Sequence, residues 1–159
     1  MTKFNIFKLI FSILICQAAG IIGSLFTTSS ISSWYSTINK PGFNPPNWIF
    51  GPVWITLYIM MGISLYLVWQ KGDLHGVSVK KALILFGIQL ALNSLWSIIF
   101  FGLHSPMAAF FEIVVLWVFI LLTILEFWKI SLFAGWLLVP YLIWVTFASI
   151  LNFSIWRLN

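Results

Sequence analysis

Long apolar stretches alternate with short polar breaks along this 159-residue chain. No formally charged residue falls between Lys8 and Lys40, between Lys40 and Lys71, between Lys81 and Glu112, or between Lys129 and Arg157. A helix that crosses hydrocarbon needs about 20 mostly apolar residues. The pattern predicts five of them, at about 6–27, 47–70, 79–101, 106–128 and 131–155. Lipid-exposed open strands are excluded, because their backbone groups would lack partners. A β-barrel would show short alternating segments, whereas these runs are continuously apolar. The expected fold class is an all-α membrane protein: one domain, residues 1–159, forming a five-transmembrane-helix bundle.

The breaks carry turn chemistry. A Ser/Thr-rich stretch over residues 28–36 leads into Lys40-Pro41-Gly42 and Asn44-Pro45-Pro46. It predicts a first loop of about twenty residues, a length common among functional loops. Gly72, Asp73 and Gly76 suggest the second connection. In the third, Gly102-Leu103-His104-Ser105-Pro106, Ser105 reads as an N-cap and Pro106 as the first helical residue. The fourth is tight, around residues 128–131. Lys3 and Lys8 ahead of an apolar run, with Ala18-Ala19-Gly20, have the outline of a cleaved leader. The run continues through Ile21, Ile22, Leu25 and Phe26, so a retained helix is expected. A lipoprotein cysteine would follow a small residue, and Ile15 precedes Cys16.

Composition sharpens the class. Apolar residues make up 62% of the chain and charged residues 7%, against about 25% charged in ordinary globular proteins. A soluble domain of this size cannot hide so much apolar surface. The net charge of +5 comes from eight scattered basic residues, not the patch that binds nucleic acid. With five spans, Lys3, Lys8, Lys71, Lys80, Lys81 and Lys129 share one side, and Lys40 and Arg157 the other. The bias places the N-terminus in the cytoplasm for insertion into a bacterial inner membrane. A single cysteine, Cys16, excludes an internal disulfide.

Polar groups inside a span are costly and are candidates for function. Gln89, Asn93 and Ser97 share one face of the third helix, beside Trp96 and Phe100. They either tie neighbouring helices together or anchor a ligand. Glu112 is expected near the membrane surface, protonated or reaching out to water; Thr123 and Glu126 lie on nearly its face. Pro140 is expected to kink the fifth helix, and Trp144, Ala148 and Asn152 follow at four-residue spacing. A Trp above an Ala leaves a recess. Trp54 and Tyr58 are likewise four apart. Trp48 and Trp156 suit an interfacial belt; Trp54, Trp96 and Trp144 lie deeper, where an indole N–H needs a partner or a polar guest. Small residues at Cys16, Ala19, Gly20, Gly23 and Ser24, and again at Gly87 and Ala91, permit close helix approach. His75 and His104 fall in loops on opposite sides, so no metal site is expected, and no enzymatic constellation appears.

Three motifs carry a family resemblance. Trp34-Tyr35-Ser36-Thr37-Ile38-Asn39-Lys40-Pro41, Asn44-Pro45-Pro46-Asn47-Trp48 and Gly51-Pro52-Val53-Trp54 with Leu57-Tyr58 resemble the signature of the translocator proteins, also called tryptophan-rich sensory proteins or peripheral benzodiazepine receptors. Ala91-Leu92-Asn93, Trp96 and Phe100-Phe101-Gly102 are similar to that family's third helix. Pro140-Tyr141-Leu142, Trp144, Phe147-Ala148 and Leu151-Asn152 are similar to its fifth. The resemblance implies a bundle, often homodimeric, whose long first loop closes a ligand cavity. The ligands it implies are porphyrins such as protoporphyrin IX and haem, sterols, and isoquinoline carboxamide or benzodiazepine-type drugs, with no required cofactor. The implied pocket comprises Tyr35, Pro45, Trp54, Tyr58, Asn93, Trp96, Trp144 and Ala148. A flat apolar tetrapyrrole suits indole faces with few polar anchors. The alternatives are light-dependent porphyrin breakdown at Trp54 and Trp144, and a membrane scaffold.

The family's animal members carry a proposed sterol motif of a branched apolar residue, Tyr and a basic residue. Leu151, Phe153 and Arg157 match it, with Phe153 in place of the tyrosine. A phenyl ring packs on a sterol face without reaching its hydroxyl. One hydrogen bond contributes about 0.5–1.5 kcal/mol, so sterol binding is expected to be weak and Phe153→Tyr to strengthen it several-fold. A sterol titration of both proteins checks this; equal affinities would remove the hydroxyl from the account.

Overall fold

The computed structural model describes residues 4–75 and 78–159, without the side chains of 73–75. Lys3 and Gly76, and the side chains of Asp73 and His75, therefore lie outside the described residues. The elements are α1 (Ile6–Ser32), α2 (Trp34–Thr37), α3 (Asn47–His75), α4 (Lys80–Ser97), α5 (Pro106–Ile130) and α6 (Leu132–Leu158). All but α2 are long and apolar enough to cross a membrane, making five spans, and no strand occurs among the described residues. The chain is an integral, multi-pass membrane protein.

The five spans form a ring: α1 packs on α3 and α4, α3 on α6, α6 on α5, and α5 on α4. Lys8, Lys71, Lys80, Lys81 and Lys129 fall at one end, here the lysine-rich end, and Lys40 and Arg157 at the other. Large apolar side chains such as Ile10, Leu14, Leu25, Val118 and Ile143 face outward. Ser12, Ser64, Gln89, Asn93, Thr123 and Asn152 are buried. This distribution suits lipid, which offers a polar group nothing to bond.

Several helix ends differ from the sequence expectation. The Ser/Thr stretch does not begin a loop: α1 runs to Ser32, and α2 occupies part of the remainder. The hydroxyls of Thr27, Thr28 and Ser33 donate to the carbonyls of Gly23, Ser24 and Ser29 at 3.0, 2.9 and 2.8 Å. Satisfied on their own helix, they do not interrupt it. Of the expected twenty-residue loop, only Ser33 and residues 38–46 lack helix. Gly72 and Asp73 lie within α3, and Gly72 serves there as a contact, since an added Cβ would sit 2.7 Å from Val79. Ser105 caps α5, accepting from the Ala108 N–H at 3.4 Å, with Pro106 first in the helix, as expected. Ser131 alone separates α5 from α6, and α6 remains helical through Pro140.

The end of α4 widens into a π-helical turn, Ile98–Gly102, whose following Leu103 N–H bonds to the Ile98 carbonyl at 2.9 Å. Such turns alter the angular step of a helix and often mark functional sites. Here the extra residue turns both Phe100 and Phe101 toward Tyr35, at 6.2 and 5.6 Å.

For Glu112, one of the two expected outcomes is removed. It does not reach water: it is 9% exposed, and neither carboxylate oxygen has a partner among the described residues. The C-terminal turns of α6 pack on the start of α5, where the Asn152 amide donates to the Pro106 carbonyl at 2.7 Å. Glu126 instead joins Lys81 and Lys129 at 2.6 and 2.9 Å, an exposed cluster of small energetic weight.

Backbones approach closely where α1 meets α3. A Cβ on Gly62 would sit 2.5 Å from the Ile13 Cα, so only glycine permits the contact. We expect Gly62→Val to force the helices apart and cost about 1–3 kcal/mol, the usual range for overpacking. Gly51→Val, with open space around it, should leave the detergent melting temperature unchanged. Equal melting of the two variants would contradict this packing.

Candidate functional site

A cavity of about 600 Å³ lies inside the ring toward the Lys40 end, bounded by α1, α2, α3, α4 with its π turn, and α6. Its floor is a buried hydrogen-bond chain. The Tyr58 hydroxyl donates to the Asn93 side-chain carbonyl, and the Asn93 amide donates to the Tyr141 hydroxyl at 2.9 Å. Trp54 stacks on Tyr58 at 5.5 Å and meets Tyr141 edge-on at 6.1 Å. The four-residue spacing of Trp54 and Tyr58 puts both on the inner face of α3.

Trp96 forms part of the side wall. Its indole N–H donates to Asn152 Oδ1 at 2.9 Å, and the Asn152 amide continues to the Pro106 carbonyl. Its ring stacks on Phe100 at 5.1 Å. Trp96 is thus held on two sides by the protein. Trp144 makes ring contacts with Phe50 at 5.9 Å and Phe147 at 5.5 Å and packs against the apolar core. Among the described residues, the indole N–H groups of Trp54 and Trp144 find no acceptor. They are unpartnered donors on a cavity wall rich in aromatic rings.

At the outer end, the Tyr35 hydroxyl donates to Asn44 Oδ1 at 2.8 Å. The Lys40 ammonium bonds the carbonyls of Tyr35 and Ile38 at 2.7 and 2.8 Å and sits 4.9 Å from the Tyr35 ring. Burial pushes the Tyr35 phenol above its ordinary pKa, against the lowering effect of the Asn44 hydrogen bond. The group therefore stays a neutral donor. Asn39 is tied to the last residue: its N–H donates to Asn159 Oδ1 at 2.9 Å, and the Asn159 amide returns a bond to the Asn39 carbonyl at 2.9 Å.

Seven of the eight residues assigned to a pocket from the sequence meet around this cavity: Tyr35, Trp54, Tyr58, Asn93, Trp96, Trp144 and Ala148. Pro45 is not in the wall. Of the sterol-motif residues, Leu151 lines the cavity, while Phe153 and Arg157 are exposed on the outside. Phe153 there contacts Phe110 and Trp156 at 5.2 and 5.8 Å. The sequence reading missed the wall from α1, which includes Gln17, Ser24, Thr27 and Thr28. Its signal was present as polar residues at helical spacing, but the small residues beside them pointed to helix packing. That packing is real: a Cβ on Gly20 would meet the Tyr58 ring at 2.4 Å, and one on Gly23 the Ser97 hydroxyl at 2.9 Å. Among the described residues, no three His, Cys, Asp or Glu side chains gather to hold a metal.

Together, ring and chamber define an α-helical, multi-pass membrane protein built around an internal aromatic cavity. Known proteins place it more narrowly. The sequence pattern of the TspO/MBR family matches residues 12–157, and the chain belongs to that family. It is 48% identical over 155 residues to a tryptophan-rich protein TspO of Archaeoglobus fulgidus, covering 98% of this chain and 99% of that one. A protein of the same name from Chlorobaculum tepidum is 50% identical over 149 residues, 91% of each chain. The human translocator protein is 38% identical over 141 residues, 87% of this chain and 82% of that one. Membership supports a receptor or transporter role in the membrane.

The two amide hinges of the cavity differ from its free indoles. Asn152→Leu would strand the Trp96 N–H and remove a donor from the Pro106 carbonyl, at about 1–3 kcal/mol for a buried unsatisfied group. Its detergent melting temperature is expected to fall. Trp144→Phe deletes an N–H with no protein partner, and its melting temperature is expected to stay close to that of the parent. Equal losses would contradict the distinction.

Proposed function

We propose that the cavity binds porphyrins, protoporphyrin IX and haem among them, together with other flat lipophiles such as isoquinoline carboxamide or benzodiazepine-type drugs. The observation that carries this reading is the pairing of aromatic faces with the unpartnered indole N–H groups of Trp54 and Trp144. Ring faces hold a planar apolar body through area and quadrupole, and the two donors suit acceptors at its edge. The volume is within the usual range for small-molecule sites, roughly 300–1,000 Å³. The α1 wall adds hydroxyl groups whose protons go to their own helix, leaving oxygen lone pairs for a polar edge. No cofactor is needed for binding, and the porphyrin is ligand rather than prosthetic group.

The protein acts in this reading as a membrane receptor or transporter, with its N-terminus in the cytoplasm and a second copy as its homodimer partner. Gly87 and Ala91 are exposed on the outer face of α4 and offer a close approach there. Light-dependent porphyrin breakdown is the second reading, favoured by two oxidisable indoles, Trp54 and Trp144, on the same chamber. Product analysis over many turnovers, with and without light, separates it from binding. Sterol would meet Phe153 from the lipid side, as a separate and weak site.

Ala148 supplies the test of the cavity. It stands one helical turn from Trp144 and leaves a recess between the rings. Ala148→Leu is expected to weaken protoporphyrin IX binding by overfilling, about 1–3 kcal/mol or roughly one to two decades in Kd. Tryptophan fluorescence quenching in nanodiscs measures this, with melting temperature as a check on folding. A titration curve identical to that of the parent would move the site elsewhere.

A further inference from the structure

Glu112 is an acid that the cavity does not use. Among the described residues, none from α5 lines the cavity; the helix stands behind the wall, packed on α4 and α6. Toward the Lys40 end its buried face is Ala109, Glu112, Ile113, Leu116 and Ile120, apolar but for this one carboxyl. Neither carboxyl oxygen has a partner among the described residues. An ionised carboxylate placed there gives up its solvation and receives little in return, so the group keeps its proton.

The titratable groups that face it are acids as well. Tyr141 on α6 is within reach of its charge, and of those of Tyr58 on α3 and Cys16 on α1. From α4 come Asn93 and Gln89, one turn apart; the Gln89 amide is also buried without a partner. The π turn brings no titratable side chain. No base stands in the group. Lys81 and Lys129 are engaged with Glu126 at the lysine-rich end, and His104 and Arg157 are exposed at the Lys40 end.

The hydrogen bonds of the cavity floor have a direction. The Tyr58 hydroxyl donates to Asn93, and the Asn93 amide donates to the Tyr141 hydroxyl. Both bonds point from the cavity toward the helices behind it. The Tyr141 proton is the next donor in that series, and Glu112, on the helix packed against α6, carries two oxygens without a donor. Hydrogen bonds in such a series polarise one another.

We propose that Glu112 is a proton-binding site behind the cavity wall, linked to the cavity floor through Tyr141, Asn93 and Tyr58; the link rests on the cavity being the ligand site. With the series intact, the Tyr141 O–H dipole supports the carboxylate form of Glu112. A guest carbonyl at the floor draws the Tyr58 hydrogen bond away from Asn93 and weakens the series, which favours the neutral acid. One proton from water then joins a carboxylate oxygen as the guest binds, and it returns to water when the guest leaves. No other covalent bond forms or breaks. Guest and proton therefore strengthen each other by the same factor. Affinity is greatest while Glu112 is protonated and falls as pH rises through its titration.

Dicyclohexylcarbodiimide, an apolar reagent that adds a protonated carboxyl across its C=N bond, reads the site directly. Peptide mass mapping of the full chain in nanodiscs is expected to find the adduct on Glu112 at neutral pH and to lose it at alkaline pH. Glu126, paired with two lysines, is expected to stay unlabelled. The infrared band of a protonated carboxyl, absent from Glu112→Gln, is the second reading; absence of both adduct and band would overturn the proton site. For the link, the probe is an isoquinoline carboxamide, followed by tryptophan quenching. The unsubstituted protein is expected to bind it about fivefold more weakly at alkaline than at neutral pH, the low end for linked sites. Glu112→Gln is expected to bind with one Kd at both pH values and to melt close to the parent. Tyr141→Phe, which keeps the ring, is expected to lose the pH dependence while Glu112 is still labelled. A pH dependence that survives in Glu112→Gln would overturn the link. If the unsubstituted protein does not bind the probe, the cavity reading fails and the link with it, while adduct and infrared band still decide the proton site.

Discussion

Hydrocarbon supplies no hydrogen-bond partner, and that constraint organises this molecule. Each helix must satisfy its own backbone, and each polar side chain must turn inward or bond to its own helix. The serines and threonines of α1 take the second course and extend the helix through a stretch of loop-like composition. Asn93 and Asn152 take the first. Asn93 joins α3, α4 and α6 through Tyr58 and Tyr141, and Asn152 joins α4, α5 and α6 through Trp96 and Pro106. These two amides set the floor and one wall of the cavity, so the features that hold the bundle together also shape its interior.

Close packing and open space are complementary consequences of the same helices. Glycines at positions 20 and 62 draw α1 against α3 toward the lysine-rich end, and Gly23 draws α1 against α4 farther along. A straight helix that follows both contacts must leave α3 beyond the bond from the Gln17 amide to the Ile55 carbonyl. The π turn after α4 acts on the opposite wall, bringing Phe100 and Phe101 beneath Tyr35. The cavity is thus the residue of packing rules satisfied around it, lined by rings because large aromatic faces cover much area with few rotatable bonds.

Within the chamber, three tryptophans play unequal parts. Trp96 is saturated by Asn152 and Phe100, which makes it structural as well as a surface. Trp54 and Trp144 keep their N–H groups unspent. This inequality sits comfortably with the receptor or transporter role that TspO/MBR membership supports: Trp96 is spent on the bundle, while two indole donors on the cavity wall are left without a protein partner.

How much of this was legible in the sequence depended on the range of the physics involved. Membrane insertion reads local hydrophobicity, so the five spans, the Ser105-Pro106 helix start and the tight turn before Ser131 could be read from residues alone. Polar and aromatic residues within spans are expensive, so Trp54, Tyr58, Asn93, Trp96, Trp144 and Ala148 stood out before any fold was known. Which helix faces which is a long-range matter, and only the tertiary structure decided it. It turned Gln17, Ser24, Thr27 and Thr28 into a cavity wall, left Pro45 outside it, and buried Glu112. It also split Leu151 from Phe153, since positions two apart on one helix point to nearly opposite sides, here the cavity and lipid.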